Sequence, residues 1–583
     1  MTSSPIRSKP ALHRLLRNLP RTFTLFREGY SKSDLMHDVA AGLTVGIIAL
    51  PLAMAFAIAS GLPPERGIYT AIVAGFFTSL LSGSRYLIGG PTGAFVVIVF
   101  GIAARQGFAG LQAATLMAGV MLILMGLFRF GAIIKFIPYP VVTGFTSGIA
   151  LVIFSSQVRD FFGLRMAEVP AEFFHKWSAY ARELHTFNPW ALAVAAVSLA
   201  LIVGFRKFMP RVPGPIVAVV VATGAAWAFD LPVETIGSRF GEIPRTLPAP
   251  EWPDFSLERV RQLFPDALTI AILAAIESLL CAVAADGMTG DRHRSNTELF
   301  GQGVSNVLSS LFGGLPATGA LARTATSIKS GARSPIAGLI HAVTLLAILL
   351  AAAPLAGLIP LAALAAILVV VAYNMSEIGH FRHMFRMPRS DALVMVVTFG
   401  LTVAVDLTVA VQVGVVLAAL LFMRRMSEVT QVGAASLFEM EEGDDEADDP
   451  DATKNKIVPP GVGVYEINGP FFFGVADRLK DELHNLESPP KVFVLRMRRV
   501  PAIDATGMTA LHQIAEKCRR DGMWLVLSGV QAQPRQAMAR SGLDEIIGPE
   551  NIHPHIDLAL ARARDLIDTI EYLERGSAGG ARK

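Results

Sequence analysis

The chain has 583 residues, of which 52% are hydrophobic and 17% are charged, and its formal net charge is +3. Soluble domains carry about a quarter charged residues, so this composition excludes a single soluble core. The small net charge and the lack of a basic stripe exclude a nucleic-acid-binding protein. The two cysteines, Cys281 and Cys518, predict neither a disulfide framework nor a metal site.

The N-terminal stretch, residues 1–37, is basic, is interrupted by prolines and has no cleavable signal pattern, so it is predicted to be a cytoplasmic arm. Residues 38–426 contain apolar blocks of about 17 to 25 residues, each long enough to cross a bilayer. These blocks predict about fourteen spans. Their predicted centres lie near residues 49, 74, 97, 118, 148, 197, 221, 274, 304, 325, 344, 365, 397 and 415.

The Lys- and Arg-rich loops fall on one side of the membrane if the N-terminus is inside, as the positive-inside bias requires. The connections Phe161–Asn188 and Asp230–Gln262 then lie outside. We therefore predict a multi-pass membrane protein with both chain ends in the cytoplasm.

A Gly/Pro motif occurs twice, as GGPTGA at residues 89–94 and as GGLPATGA at residues 313–320. Ile137-Pro138 and Ile359-Pro360 form a second pair with almost the same separation. The two matches predict repeats of about seven spans each. Because an odd number of spans reverses the orientation, the repeats must be inverted, as in many secondary transporters. Their predicted bounds are about 38–230 and 262–426.

Each Gly/Pro motif precedes an unusually short apolar stretch, which predicts a half-helix beginning near the bilayer midplane. A helix N-terminus carries about +0.5 of an elementary charge, so two facing ends attract an anion without a fixed cation. The alternative is that the glycines only allow close helix packing. The matched pair favours a binding site, and its predicted residues are Thr92, Gly93, Ala94, Phe95, Gly319, Ala320, Leu321 and Ala322.

Glu277 lies inside an apolar block, where an ionised side chain is costly, and is the predicted group for proton or sodium coupling. A permanently neutral Glu277 bonded to a neighbouring helix is the alternative. Arg323 could strengthen the positive field at the site or pair with Glu277, and Phe56 could form an aromatic wall or simply pack. A bulky residue at Gly319 is expected to fill the gap between the half-helices.

The composition changes after Arg425, through an acidic linker at residues 427–457, to a soluble α/β domain at residues 458–575. Alternating strands and helices predict a parallel or mixed sheet covered by helices. The predicted strands are Val462–Ile467, Val492–Met497 and Trp524–Leu527; the predicted helices are Ala476–Leu486, Thr506–Arg520 and Gln533–Ser541, the last with Gly542 as its C-cap.

The chain resembles the bacterial SulP anion transporters over nearly its whole length, and most of all their C4-dicarboxylic acid transporter branch. The segments that carry the resemblance are residues 41–52, 144–149, 276–283 and 286–290. The resemblance implies a seven-plus-seven inverted repeat, core and gate domains that move as an elevator, a homodimer and a C-terminal STAS domain.

The resemblance also implies roles for particular residues. The family's third and tenth spans are half-helices and correspond to the Gly93 and Gly319 regions, and its acidic residue of the eighth span corresponds to Glu277. Leu52 stands where members often have glutamine. Thr506 corresponds to a phosphorylatable hydroxyl in soluble STAS relatives, although an N-cap of the following helix is the preferred role.

The leading hypothesis is a secondary active anion transporter, not an enzyme, without cofactors other than a coupling proton, for which sodium is the alternative ion. Its expected substrate is a C4-dicarboxylate such as succinate or fumarate, with sulfate or bicarbonate as alternatives. An uncoupled exchanger or channel and a membrane-anchored sensor or enzyme are the competing classes, although the tail has no P-loop or nucleophile elbow. The expected partners are a small anion, the lipid bilayer, a second copy of the chain and a regulatory protein that binds the STAS domain.

Overall fold

The computed structural model forms two compact units, Met1–Ala418 and Ala419–Lys583. The structure describes residues 19–25, 29–132, 138–166, 169–170, 172–209, 212–253, 256–405, 407–434, 456–472, 474–475, 478–479 and 489–580.

The first half of the membrane unit consists of helices and one short strand. They are α1 (Arg21–Leu25), α2 (Lys32–Ala59), α3 (Pro64–Leu81), β1 (Gly89–Gly90), α4 (Gly93–Leu127), α5 (Tyr139–Phe162), α6 (Phe173–Arg182), α7 (Pro189–Phe208), α8 (Gly214–Ala228) and α9 (Ile236–Phe240). Gly107 interrupts α4 with φ 67° and ψ 179°, which divides it into a short first part and a longer second part. Only glycine adopts such a conformation readily.

The second half repeats this order. Its elements are α10 (Leu257–Thr289), α11 (Ser295–Leu311), β2 (Thr318–Gly319), α12 (Leu321–Lys329), α13 (Ile336–Ala356), α14 (Leu361–Met375), α15 (Ile378–Met384), α16 (Arg389–Ala404) and α17 (Leu407–Val429). Each predicted span centre falls within a helix. Among the described residues, 8 helices are long and apolar enough to cross a membrane.

The packing of one half is reproduced in the other. Helix α2 packs on α13 as α10 packs on α4, and α5 packs on α16 as α14 packs on α7. Glycines permit the close approach: a Cβ at Gly46 would lie 2.7 Å from Thr344 Cβ, and one at Gly119 would lie 2.7 Å from Val307 N. This correspondence agrees with the predicted inverted repeat.

Two groups of helices result from this packing. One group contains α2, α3, α4, α10, α11, α12 and α13, and the other contains α5, α7, α14 and α16. The first group includes both short strands and both helices that follow them. It therefore carries the elements of the predicted site, and we call it the core group and the other the gate group.

The second unit contains a mixed five-stranded sheet in the order β3–β4–β5–β6–β7. Its strands are β3 (Gln431–Ala434), β4 (Val462–Asn468), β5 (Val492–Arg499), β6 (Trp524–Ser528) and β7 (Ile552–His553), and its helices are α18 (Ala505–Arg520), α19 (Ala532–Ser541), α20 (Leu543–Ile547) and α21 (Ile556–Gly580). Side chains alternate along β5, so that Phe493 and Leu495 pack with α18 whereas Val492 and Val494 pack with α21. The prediction of a parallel or mixed sheet covered by helices is confirmed.

Two features of this unit differ from the sequence prediction. Strand β3 lies in the stretch assigned to the acidic linker, because pairing of Val432 with Ile467 makes it an antiparallel edge strand. Residues 435–455 of the linker, and most of the predicted helix Ala476–Leu486, lie outside the described residues.

The second difference concerns the start of α18. Its N-cap is Asp504, whose Oδ1 accepts a hydrogen bond from Gly507 N at 2.7 Å. The predicted N-cap role of Thr506 is therefore wrong, since the helix begins one residue before it. Thr506 is exposed. The predicted C-cap at Gly542 is confirmed by its left-handed φ of 69°.

Candidate anion-binding site

The two short strands pair at the centre of the core group. Gly89 pairs with Gly319 and Gly90 with Thr318 in antiparallel register. Ala320 N donates to Ile88 O at 2.8 Å, and Ile88 N donates to Thr324 Oγ1 at 3.0 Å. These bonds fix the start of α12 beside the strand that leads into α4.

Both helices begin directly after their strands, as the sequence predicted. Their N-caps are Thr92 and Ala320, and neither residue caps its helix with a side-chain hydrogen bond. The buried Thr92 hydroxyl has no hydrogen-bond partner within the described structure. The first-turn N–H groups of both helices therefore depend on other acceptors, which favours an anion at this position.

The two helix starts differ in exposure. Gly93, Ala94 and Phe95 are buried, whereas Leu321 is 51% exposed and Ala322 is also exposed. The accessible surface near the paired strands therefore includes the first turn of α12.

The surroundings of Gly93 include the predicted aromatic wall. A Cβ at Gly93 would lie 2.8 Å from Met375 Sδ, 3.2 Å from Ile153 Cδ1 and 3.4 Å from Phe56 Cε1. Met375 and Ile153 belong to the gate group, so the start of α4 lies at the boundary between the two groups.

Gly319 faces in a different direction. A Cβ there would lie 2.9 Å from Leu87 Cδ1 and 3.2 Å from Cys281 Cβ, both inside the core group. The expectation that a bulky side chain at Gly319 fills the gap is therefore not supported, because the added atoms would instead displace β2 from α10.

Glu277 projects from α10 beside the second strand. It is partly exposed, and it makes no hydrogen bond or ion pair within the described part of the chain. Glu377, at the N-cap of α15, is close enough to act on it as a like charge. Glu277 is thus a partly exposed carboxyl without a cationic partner in the described part of the chain.

The residue after Glu277 connects it to the second half-helix. Ser278 Oγ accepts a hydrogen bond from Gly319 N at 3.1 Å and lies 2.8 Å from Thr318 Oγ1. Thr318 Oγ1 also lies 3.2 Å from Ala274 O, to which it can donate. Ser278 and Thr318 were not predicted from the sequence. Ser278 could have been, because it is a hydroxyl residue next to an intramembrane acid.

The side chain of Arg323 points away from the exposed side chains of Leu321 and Ala322 in the same turn of α12. Its side chain is buried against Gly90, and its Nη1 and Nη2 atoms have no hydrogen-bond partner among the described residues. It forms no ion pair with Glu277, so the pairing offered as one of its roles is absent. Gly90 leaves room for the guanidinium, since a Cβ at this position would collide with it.

The chain matches the sulfate permease family over residues 35–398 and the STAS domain over residues 453–559. The chain belongs to the sulfate permease family. The predicted SulP membership, STAS domain and general class of membrane anion transporter are therefore confirmed.

Two relatives illustrate the similarity over almost the full length. The putative sulfate transporter YvdB of Bacillus subtilis is 44% identical over 532 residues, which cover 91% of this chain and 98% of the relative. The bicarbonate transporter BicA of Picosynechococcus sp. is 32% identical over 529 residues, which cover 88% and 92% of the two chains.

Solved structures agree with the fold. The transmembrane domain of a cyanobacterial bicarbonate transporter BicA has 33% sequence identity and a TM-score of 0.59, and the match covers 67% of this chain and 98% of that one. The murine anion transporter Slc26a9 in an inward-facing state has a TM-score of 0.84 at 19% identity, with 97% of each chain covered. The latter likeness concerns the fold alone.

Proposed function

We propose that this chain is a secondary active transporter that couples a small oxyanion to a proton through Glu277. The supporting observation is that Glu277 is accessible, has no cationic partner among the described residues and adjoins Ser278, the acceptor for Gly319 N. Proton binding removes the negative charge of the carboxyl and so reduces its repulsion of an incoming anion. The proton thus accompanies the substrate.

The proposed motion is an elevator, in which the core group slides against the gate group. Both helix starts and Glu277 belong to the core group, so they would move as one body with the substrate. Gly93 meets the gate group through the ends of the Met375 and Ile153 side chains. Such contacts can be exchanged during sliding without breaking the hydrogen bonds that join β1 to β2.

The substrate class is a small oxyanion bound chiefly by backbone N–H groups. The names of the two relatives support sulfate and bicarbonate, and the 44% identity to the first makes sulfate the substrate to test first. The motifs at residues 41–52, 144–149 and 276–283 support a C4-dicarboxylate as the second candidate. The Arg323 side chain is buried, so its guanidinium is not placed to bind a substrate carboxylate at the exposed turn of α12 through two hydrogen bonds.

The test is uptake into proteoliposomes with and without a pH gradient. Labelled sulfate is the first substrate, in competition with bicarbonate, succinate, fumarate and aspartate. We expect an inward proton gradient to accelerate uptake, and we expect Glu277→Gln to abolish that acceleration while anion binding persists. Glu277→Asp, the matched control, retains a titratable group and should keep part of the pH response.

Three results would contradict this proposal. Uptake that is independent of both proton and sodium gradients would indicate an uncoupled exchanger or channel. Acceleration by sodium alone would replace the proton with sodium at the same carboxyl. An unchanged pH profile in Glu277→Gln would remove Glu277 from the coupling step.

We further propose a location in the bacterial inner membrane, with cytoplasmic chain ends, a homodimer and a regulatory protein partner for the STAS domain. No cofactor beyond the coupling ion is needed for this activity. Deletion of residues 440–583 should reduce the rate or the amount of protein in the membrane and leave some transport. A complete loss of transport in correctly inserted protein would favour an active role of the tail.

A further inference from the structure

A cavity of about 930 Å³ lies along the first part of α4, between Val96 and Phe108. Both groups of helices contribute to its walls. From the core group come residues near the end of α2 and along the first part of α4, and from the gate group come residues at the ends of α5 and α16. The short helices α6 and α9, in the two connections predicted to lie outside, complete the wall.

The cavity extends towards the candidate site. Val96 and Val97 line it, and they lie one helical turn beyond Gly93 on α4. Ile58 also lines it, two residues after Phe56 on α2. The cavity therefore follows the two helices that carry Gly93 and Phe56, and an anion leaving it in that direction would reach the start of α4.

Lys176, in the middle of α6, is the most unusual residue of the cavity wall. Its side chain is only 4% exposed, and its ammonium lies 5.5 Å from the centre of the Phe100 ring. It has no hydrogen-bond or ion-pair partner among the residues that the structure describes. A buried ammonium without an acceptor is costly and calls for an anion or water.

The other charged groups of the wall leave a positive excess. Arg105 pairs with Asp266 at 3.1 Å, and Arg239 pairs with Asp160 at 2.8 Å. Glu172, the N-cap of α6, contacts His175 at 2.6 Å. The Nε atom of Arg159 is buried without a partner in the described structure. Each acid of the cavity wall is therefore engaged by another residue, whereas Lys176 has no such partner among the described residues.

We propose that this cavity is a capture site for a small oxyanion, with the Lys176 ammonium as its principal ligand. The inference rests on the proposed transport of an oxyanion and deepens it. A cation in a low-dielectric cleft concentrates anions and raises their rate of association. Lys176 thus provides the first contact on the side from which substrate enters, before the anion reaches the helix starts.

Burial also makes this contact sensitive to pH. Desolvation lowers the pKa of Lys176 to about 8. The other charged groups that line the cavity are Arg159, Arg105, Arg239, Asp160, Asp266 and Glu172. Raising the external pH from 7 to 9 should therefore discharge Lys176 and weaken capture.

The kinetic test compares variants in proteoliposomes with sulfate supplied from the side of α6. Lys176→Met, which retains the length of the side chain, should raise KM about tenfold, the lower range for loss of a charge-assisted hydrogen bond. Lys176→Arg should restore most of the affinity and make KM insensitive to pH between 7 and 9. Arg182→Met removes an exposed charge from the same helix and should leave KM unchanged.

A second measurement does not require transport. Acetylation of Lys176 by an amine-reactive ester, quantified by mass spectrometry, should be slowed by sulfate but not by gluconate at equal ionic strength. The exposed Lys207 is the internal control. If no oxyanion is transported but sulfate still protects Lys176, the transport proposal fails and the capture site stands. Absence of protection, or an unchanged KM in Lys176→Met, would overturn the capture site.

Discussion

Replacing Gly93 by alanine tests whether the start of α4 slides along the gate group. The added Cβ would lie 2.8 Å from Met375 Sδ, closer than real Cβ contacts allow, and 3.2 Å from Ile153 Cδ1. Overpacking of this kind costs about 1 to 3 kcal/mol, and the flexible thioether places the cost near the lower end. Conformations that separate α4 from α5 and α14 escape this cost.

The expected result is a change in the conformational equilibrium of about five- to tenfold, since 1.4 kcal/mol corresponds to a factor of ten. Leu321, which is 51% exposed in this conformation, supplies the reporter. The labelling rate of Leu321→Cys by a water-soluble thiol reagent should fall, by at most that factor, when Gly93→Ala is added. The native Cys281 and Cys518 are buried and should contribute little background.

Two further glycines serve as controls for this experiment. Gly101→Ala lies on the same helix, and its Cβ would meet only Arg105 Nη1 at 3.4 Å, so labelling should not change. Gly319→Ala would press on Leu87 and Cys281 within the core group, and it should lower the melting temperature instead of shifting the equilibrium. Equal labelling and equal uptake in Gly93→Ala and the unmodified chain would refute the sliding contact.

The hydrogen bond from Gly319 N to Ser278 and the Asp504 cap of α18 can each be tested by one substitution. Ser278→Ala leaves Gly319 N without its acceptor and should lower the free energy of unfolding by about 1 to 3 kcal/mol. We expect a lower melting temperature and a smaller rise of that temperature when sulfate is added. An unchanged melting curve would contradict this prediction. Asp504→Ala removes the cap of α18 and should cost about 0.5 to 2 kcal/mol, measured as faster hydrogen exchange in that helix, whereas Thr506→Ala should have little effect. The opposite ranking would restore Thr506 as the cap.

Several structural features could be predicted because their signals are local in sequence. Apolar length marked the membrane helices, including the short α12, and β-rich segments marked β4, β5 and β6 within one or two residues. The duplicated Gly/Pro motif located β1, β2 and the helices that follow them. Glycine at a helix end predicted the left-handed cap at Gly542.

Other features depend on partners distant in sequence and could not be predicted. Strand β3 exists because it pairs with β4 across the intervening segment, and its four residues carry no strong strand signal alone. The cap of α18 was assigned to the wrong hydroxyl, because the boundary of a helix shifts by a residue with little change in pattern.

The sequence by itself determined that the chain is a polytopic membrane protein with two related halves and a soluble α/β tail. Hydropathy, glycine and proline act through neighbouring residues, so their consequences can be predicted without the fold. Only the tertiary structure decided that Arg323 faces Gly90, that Gly319 faces Leu87 and Cys281, and that Glu277 has no cationic partner among the described residues. The rotation of a helix about its axis is set by what packs against it, and a change of one residue turns a side chain by about 100°.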